Sequence, residues 1–562
     1  MTLFRSTHSR LQSLTTCLAV FTLGAAVAAT PCIAQQDRDH GHGNDHDHSM
    51  HFHPGNLVVS RSVYDNNAAN VTVGEPLPSN CAQTVGPCAP AVNNGLYPQV
   101  FNNDTVDGSF GITSKIFLDQ ITPNGFLIDS LEVPNSSQKH VQENSDQLVT
   151  SFSSKSELAL NLSTDHRFLT FMGYVAPINT LDVSNSNTPG VIDPTNPVGI
   201  NIYRAVATVD RNGRFTFTET NAYNGNNGRA AIYNDTNGAN VFYTAGNAGN
   251  GSNPQPAGVV LGAGTQFIEP ANAPESFQTP ATPTPLASFS ITLLGDKADK
   301  IGKDDNFRGL TVFNNVVYLT KGSGSNGVNT VYFVDTTGTA CPKGVGVPAP
   351  GATLPIAPLT YDPSTLAKSG LPSNMCILAG FPTTPAKTAN PAAYPFGLWF
   401  ANANTLYVAD EGDGYAGGTD LYTHAAAETT AGIQKWVFNS STQTWNYVYT
   451  LQANLKLGVP YTIDNYPTGI NSATNLPWAP AADGIRNITG TVDCDGRVTL
   501  YGITSTVSGS GDQGADPNRL VAVTDNLSNT DATVAAKEEF HSIRKAGFGE
   551  VLRGVSFAPD AK

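Results

Sequence analysis

The chain has 562 residues and a net charge of −15 at pH 7, which argues against nucleic acid or an anionic membrane surface as a partner. Hydrophobic residues make up 40% of the composition and charged residues only 13%, while glycine (53) and proline (37) are abundant. This profile favours many short strands joined by turns over helices. A single all-β domain of this length is expected only from architectures that lengthen without thickening their core, such as large barrels and repeat rings.

Residues 1–34 are predicted to be a secretory signal peptide. Arg5 and Arg10 give it a positively charged start, and the apolar stretch Leu18–Ala29 is too short to span a bilayer. Small residues then lead to a cleavage site before Gln35. No later segment of the sequence is long and apolar enough to be a membrane span. We therefore expect a protein that is secreted or periplasmic after cleavage.

Residues 35–54 form a His-rich segment that is expected to be disordered, because it has almost nothing to bury. Neutral imidazoles bind Zn²⁺, Cu²⁺ or Ni²⁺, so the segment predicts weak transition-metal binding. A flexible tract cannot fix a coordination geometry, and no catalytic site is predicted there. The six histidines are His40, His42, His46, His48, His51 and His53.

Five cysteines follow the predicted cleavage site. In an oxidising compartment, Cys81 and Cys88 are close enough to close a small loop, and Cys341 and Cys376 flank a proline-rich insertion that they would staple. Cys494 is left over in an Asp-Cys-Asp-Gly turn. It is interpreted as a half-buried structural thiol rather than a catalytic nucleophile.

Residues 55–562 carry a recurring phrase, which consists of a small residue, alternating apolar positions, a turn and a second strand. Its clearest copy runs from Arg308 to Phe313, turns at Asn314-Asn315 and continues from Val316 to Leu319. Further strand-like runs after each hairpin give four strands per repeat, as a propeller blade requires. The copies lie 72, 80, 88, 87 and 70 residues apart, counted between Leu158, Ala230, Leu310, Leu398, Ile485 and Val555.

The last copy, Arg553–Phe557, is a lone strand, and it predicts how the ring closes. We expect this strand to lie innermost in a blade built from both chain ends, with Leu57–Ser60 beside it and Ser114–Leu118 and Gly125–Ile128 outside. The prediction is a single β-propeller domain of six four-stranded blades. A seventh blade is the alternative, hidden in the loop-like segment from Gly249 to Pro285.

One blade also carries a family resemblance. Pro395-Phe396-Gly397-Leu398, followed by Leu406-Tyr407-Val408-Ala409-Asp410, is similar to the inner-strand phrase of NHL-type and gluconolactonase-like six-bladed propellers. The resemblance covers one blade well and two others in outline. It implies the fold and transfers no activity.

The residues that flank the repeated glycine are expected to line the central channel, where propellers commonly bind ligands. A ring of arginine and acidic groups could bind an anionic or sugar-like ligand or hold a metal, or the charges could satisfy one another and fix the packing of the blades. These candidates are Asp305, Asn306, Arg308, Asp483, Arg486, Glu550 and Arg553.

The densest carboxylate cluster of the predicted fold comprises Asp410, Glu411 and Asp413. Calcium takes six to eight oxygen ligands, of which such a loop could supply several. The spacing does not match an EF-hand, and Asp/Gly-rich turns are also ordinary between strands. Calcium is accordingly the only cofactor that the sequence suggests.

The leading functional hypothesis is a monomeric, exported binding protein that recognises an extracellular ligand or protein through its long loops and central channel. The alternative is a calcium-dependent hydrolase of lactonase or esterase type, with carboxylates from several blades, including Asp305, Glu411, Asp483 and Glu550, around one ion. Carboxylates that converge on one point would favour the hydrolase. Carboxylates paired with Arg308, Arg486 and Arg553 would exclude it.

Overall fold

In the described part of the chain, thirty strands account for most of the secondary structure of the computed structural model. The residues described are 50–77, 89–92, 103, 110–139, 141, 147–190, 198–247, 264–270, 284–287, 289, 291–296, 306–322, 327–341, 343–357, 374–510 and 514–560.

Six antiparallel sheets form the blades of a β-propeller, so the predicted all-β, six-bladed fold is confirmed. Blade 1 contains both ends of the domain, and the other blades follow in chain order. The strands of the first three blades, from the axis outwards, are as follows: in blade 1 Glu550–Phe557, Leu57–Val63, Thr113–Ile121 and Leu127–Glu132, with Thr150–Ser151 paired to the third strand; in blade 2 Asn161–Leu162, Phe168–Tyr174, Arg204–Asp210 and Phe215–Thr220; in blade 3 Gly228–Asn234, Val241–Gly246, Thr265–Ile268 and Thr284–Pro285.

The remaining three blades repeat this order, and blade 4 gains a short parallel fifth strand at its outer edge. Their strands are, in blade 4, Phe307–Phe313, Val316–Lys321, Thr330–Val334, Met375–Leu378 and Val345–Gly346; in blade 5 Pro395–Asn402, Thr405–Asp410, Gly432–Asn439 and Thr444–Leu451; in blade 6 Ala481–Val492, Arg497–Val507, Arg519–Asn526 and His541–Lys545.

Short elements lie in the loops between these strands. Two small hairpins, two α-helices and three 3₁₀ helices are described. The hairpins pair Pro76–Leu77 with Ala89–Pro90 and Ile470–Asn471 with Leu476–Pro477; the α-helices are α1 (Leu421–Ala426) and α2 (Ala532–Ala535); the 3₁₀ helices are Ala68–Asn70, Val183–Asn185 and Ile291–Leu294. None of the helices in the described ranges has the length and apolar character needed to cross a membrane.

The ring closes in blade 1 as the lone C-terminal strand predicts. Leu57 pairs with Phe557 and Val59 with Val555, in antiparallel register. Each inner strand also contacts the inner strand of the next blade, all the way round from blade 1 to blade 6 and back. The described part of the segment from Gly249 to Pro285 supplies the two outer strands of blade 3 and no seventh blade.

The turn residues explain the hairpins locally. In blade 4, Asn314 and Asn315 both have positive φ angles of 47° and 60°. A two-residue turn of this kind matches the twist of the flanking strands, and asparagine tolerates the left-handed conformation better than most residues. The apolar residues on either side are thereby brought into antiparallel register, with Phe313 opposite Val316.

The ordered domain extends further towards the N-terminus than the boundary at residue 55 suggests. Phe52, placed by sequence in the disordered His-rich segment, is fully buried, and Met50 lies in the same apolar cluster. The N–H of Phe52 donates to the carbonyl oxygen of Arg211 in blade 2 over 2.8 Å. Residues 50–54 therefore pack onto the propeller, while residues 1–49 lie outside the described part of the chain.

The two faces of the propeller are formed by different connections. On what we call the hairpin face, the inner strand of blades 2 to 6 turns into the second strand, as at Asn314-Asn315, and in blade 1 the two chain ends meet there. On the loop face, the inner strands begin and the second strands end, so this face carries the starts of Phe307–Phe313 and Ala481–Val492 and the end of Thr405–Asp410. Candidate sites lie at both ends of the channel.

Candidate functional site

Buried arginines surround the channel beneath the loop face. Arg229, Arg308, Arg486 and Arg553 lie near the start of inner strands, and each is at most 5% exposed. Arg229 was not among the sequence candidates, although it follows a repeat glycine, Gly228, in the Gly-Arg order instead of Arg-Gly.

These arginines tie the blades to one another. Arg229 donates to the carbonyl oxygen of Phe307 in blade 4 over 2.7 Å and to the side chain of Asn306. Arg553 of blade 1 donates to the carbonyl oxygen of Ser154, before blade 2, over 2.6 Å. These hydrogen bonds satisfy backbone carbonyl groups at the strand ends, which a ligand in the channel would otherwise have to satisfy. They therefore favour a role for the arginines in packing the blades together.

Glu411 is the acidic partner of this set. Its Oε2 atom accepts from Nε of Arg486 over 3.1 Å and lies 3.8 Å from Nζ of Lys155. Burial alone would raise the pKa of Glu411, but the charges of Lys155, Arg308 and Arg486 hold it below its usual value. Glu411 is therefore ionised and paired at neutral pH.

The carboxylates proposed for the calcium hydrolase do not converge. Glu411 is paired with Arg486, and Glu550 is paired with Arg61 over 2.6 Å. Asp483 accepts the N–H of Gly414 over 2.9 Å. Asp305 lies outside the described residues. The three described carboxylates of this set therefore have different partners, two of them arginines.

The three residues predicted to hold calcium also diverge. Asp410 is fully buried and accepts the N–H groups of Tyr394 and Gly412, each over 3.0 Å. Burial raises the pKa of Asp410 to about 6. Glu411 points to the arginines, and Asp413 points away from both, to a histidine. The three carboxylates thus contact different partners.

Asp413 belongs instead to a group on the loop face that the sequence analysis missed, here called the Asp-His-Glu cluster. It consists of Asp413, His424 of α1 and Glu428, whose nearest ligand atoms all lie within 4.8 Å of one another. His424 Nε2 is 2.7 Å from Asp413 Oδ2 and 4.0 Å from Glu428 Oε1. The spacing of four residues between His424 and Glu428 was a visible signal, and the N–H of Glu428, just beyond the end of α1, donates to the carbonyl oxygen of Ala425.

The electrostatics of the cluster are strongly acidic. Burial, followed by the charges of Asp413, Asp483 and Asp410, raises the pKa of Glu428 to about 7. The hydrogen bond with Asp413 raises the pKa of His424. Burial likewise raises the pKa of Asp483 to about 7. Such a concentration of shifted groups at a channel mouth is typical of functional sites.

A cavity of about 920 Å³ opens at the hairpin end of the channel. All six blades contribute to its lining, together with the segments that flank them. The contributing segments are Val555–Ala558 of blade 1, Leu160–Ser163 of blade 2, Ile232 with Thr236 and Asn237 of blade 3, Thr311–Asn315 of blade 4, Leu398–Phe400 of blade 5 and Ile488–Gly490 of blade 6.

The lining of the cavity mixes aromatic rings with uncharged polar groups. Phe313 and Phe400 are stacked, with ring centroids 4.5 Å apart, and Trp399 also lines the cavity. Among the lining residues described, the ionisable side chains are His166 and Asp560, whose Nδ1 and Oδ2 atoms lie 3.6 Å apart at the rim. The cavity itself is therefore close to neutral.

The remaining sequence predictions fall outside these sites. The disulfide Cys341–Cys376 is formed, as predicted, whereas Cys81 and Cys88 lie outside the described residues. Cys494 is exposed, so the expectation of a half-buried thiol is wrong. The histidine tract is described only from residue 50 onwards, where both its histidines, His51 and His53, are exposed.

The comparisons with known proteins do not assign a family. No protein-family model matches the sequence, and no curated protein matches it. Among solved structures, the chain is similar to a polysaccharide lyase of family PL25, an ulvan lyase bound to a GlcA–Rha3S saccharide, at 10% identity and a TM-score of 0.29, over 71% of this chain and 75% of the other. It is also similar to the endosialidase of phage phi92, at 10% identity and a TM-score of 0.25, over 88% of this chain and 60% of the other. A likeness of this size carries no argument about function.

Proposed function

We propose that this protein is an exported binding protein that receives an uncharged, hydroxyl-rich ligand, such as a neutral oligosaccharide, in the cavity at the hairpin end of its channel. Export is inferred from the signal-like residues 1–34. The disulfide Cys341–Cys376 supports it, because disulfides persist in oxidising compartments.

The observation that carries the proposal is the cavity that all six blades line. Its volume of about 920 Å³ falls in the range of about 300–1,000 Å³ that is usual for ligand sites. A wall built from inner strands of every blade is also held in place by the whole ring. The binding groups are therefore preorganised, and little ordering is needed when a ligand enters.

The chemistry of the wall selects the ligand class. The rings of Phe313 and Trp399 offer apolar faces on which the C–H surface of a sugar ring could stack. Thr311, Thr489 and Ser556 lie in the same wall and supply hydroxyl groups that both donate and accept hydrogen bonds. A charged ligand would find no opposite charge in the body of this wall, apart from the His166–Asp560 pair at the rim.

The test is a binding screen with an array of neutral oligosaccharides, followed by calorimetry on the best binder with the purified full chain. Thr489→Trp places a large ring in the cavity from a half-buried position on the inner strand of blade 6. It should weaken binding of that saccharide at least ten-fold. Thr311→Trp, from the inner strand of blade 4, should do the same.

Thr491→Trp is the matched control, because Thr491 lies two residues along the same strand, is exposed and is outside the cavity lining. It should bind the saccharide as tightly as the wild type. The proposal is overturned if no neutral saccharide binds, or if the cavity variants keep wild-type affinity while their circular dichroism shows that they are folded.

A further inference from the structure

We propose that Asp413, His424 and Glu428 on the loop face form a binding site for a divalent transition-metal ion of the zinc class. The site lies at the opposite end of the channel from the proposed ligand cavity, and it does not depend on that cavity. The argument rests on the ligand geometry, on a buried carboxyl beside the cluster and on the local balance of charge.

The ligand atoms are nearly in place. Two ligands of a tetrahedral zinc ion, with bonds of about 2.0–2.1 Å, lie roughly 3.3 Å apart. His424 Nε2 is 2.7 Å from Asp413 Oδ2 and 4.0 Å from Glu428 Oε1, so a shift of less than about 1 Å in each would bring the three atoms around one ion. The three side chains are 25%, 37% and 13% exposed in the order Asp413, His424 and Glu428, which gives an ion a route from solvent.

The histidine is oriented by its neighbours. The ring of Tyr415 stacks on the imidazole of His424, with centroids 4.0 Å apart, and the Tyr415 hydroxyl donates to Asp420 over 3.1 Å. Interactions of this kind fix ring orientation in metal sites. The N–H of Tyr415 also donates to Oδ1 of Asp413 over 2.8 Å, which leaves Oδ2 as the oxygen that faces the histidine.

A second observation is a buried carboxyl beside the cluster. Asp483 is 1% exposed, and its Oδ1 atom has no hydrogen-bond partner among the residues described. Its other oxygen accepts the N–H of Gly414, the residue next to Asp413, so the carboxyl lies against the loop that carries the cluster. An unsatisfied buried carboxyl is costly, and a nearby divalent cation is one way to compensate it.

The carboxylates that act on Glu428 all carry charges of the same sign. Asp413, Asp410 and Asp483 all act on Glu428 by repulsion. His424 is the cationic candidate within the group. A divalent ion bound among these carboxylates would attract each of them and so offset their mutual repulsion, as metal ions do in carboxylate-rich sites.

The ligand types select the metal. An imidazole nitrogen suits zinc, copper, iron and nickel, while carboxylates alone would suit calcium or magnesium. One imidazole with two carboxylates is a three-ligand set that leaves a coordination position open, as in catalytic zinc sites. The only other group of this kind among the described residues contains Asp335, Cys341 and Cys376, and its sulfur atoms are joined in the disulfide.

The experiment uses the full chain after treatment with a chelator and dialysis. Zn²⁺ is titrated by calorimetry and, in parallel, its effect on the unfolding temperature is recorded, because an ion that binds the folded state raises that temperature. Glu428→Gln and Asp413→Asn keep the shapes of the side chains, and each should weaken the folded-state Zn²⁺ site at least ten-fold. Ca²⁺ at the same concentration should leave the unfolding temperature unchanged.

The control is His541→Ala, which removes an exposed histidine from the outer strand of blade 6. It should bind Zn²⁺ as the wild type does. The His-rich tract contributes the same background to every variant, so only the difference between variants reports on the cluster. The proposal fails if Zn²⁺ does not raise the unfolding temperature of the wild type, or if Glu428→Gln and Asp413→Asn respond to Zn²⁺ as the wild type does.

Discussion

Replacing Gly554 with alanine tests why a small residue recurs in the repeat. Gly554 lies in the innermost strand of blade 1, where the ring closes. A Cβ atom built there would lie 2.6 Å from the backbone nitrogen of Leu160 and closer still to the carbonyl oxygen of Leu158. Gly309 and Gly397 face the backbone of the next inner strand in the same way. The repeated glycine therefore marks the closest approach of neighbouring blades.

The cost of one methyl group follows from this geometry. Ordinary contacts of a Cβ atom begin at about 3.4 Å, so the backbone of blade 2 would have to move by roughly 1 Å, and overpacking of this kind costs about 1–3 kcal/mol. Alanine also lowers the conformational entropy of the unfolded chain, and this effect offsets about 0.4–1 kcal/mol of the packing cost. We expect a net loss of about 1–2 kcal/mol. With an unfolding entropy of about 2.1 cal/mol/K per residue over 562 residues, this loss lowers the unfolding temperature by roughly 1–2 °C.

The assay is thermal and urea unfolding of the wild type, Gly554→Ala and Gly554→Val, in which valine should lower stability further. Gly547→Ala is the control, because the nearest atom to its added Cβ is a side-chain oxygen of Glu550 at 3.4 Å. This control should change stability by less than about 0.5 kcal/mol. If alanine at 554 is as well tolerated as alanine at 547, close packing does not explain the repeated glycine.

Two further predictions concern the disulfide and a buried carboxyl. The Cys341–Cys376 bridge spans 35 residues, so the double alanine variant should lose about 3–4 kcal/mol of unfolding free energy, measured in urea; an unchanged midpoint would contradict the stabilising role of the bridge. Burial raises the pKa of Glu219 to about 7. The protonated side chain therefore contributes to the free energy of unfolding in full below about pH 4.5, and this contribution is lost as the pH rises through about 7. Relative to the wild type, the free energy of unfolding of Glu219→Gln should therefore increase by about 1–2 kcal/mol between about pH 5 and pH 8. This is less than the full pKa shift implies, because Glu219 keeps some contact with water. Parallel pH profiles of unfolding temperature for the two proteins would show that Glu219 does not titrate in this way.

The fold was predictable because its signals are local. A strand pair such as Arg308–Leu319 is specified by alternating apolar residues and by two asparagines that accept positive φ angles. Repetition of that pattern reveals the blade, and the lone strand at Arg553–Phe557 reveals the closure. The strand and turn inferences need only residues that are neighbours in sequence, and the closure follows from counting the strands that such patterns reveal.

The sites were harder to predict because their residues come from distant parts of the chain. Asp413 was visible in the sequence, but its partners are His424 and Glu428 and not Asp410 or Glu411. The direction in which each side chain of residues 410–413 points depends on the turn after the second strand of blade 5 and on what lies beneath it. Consecutive carboxylates in an irregular loop diverge, and only the packed structure shows where.

The sequence by itself determined a closed six-bladed ring, since strand period, turn chemistry and repeat spacing are properties of short segments. Only the tertiary structure decided how the charges and the channel are used. It paired Glu411 with Arg486, left one oxygen of Asp483 with no hydrogen-bond partner among the residues described and opened a near-neutral cavity among six inner strands. Such features depend on distances between blades, and a sequence pattern with a period of two residues contains no information about them.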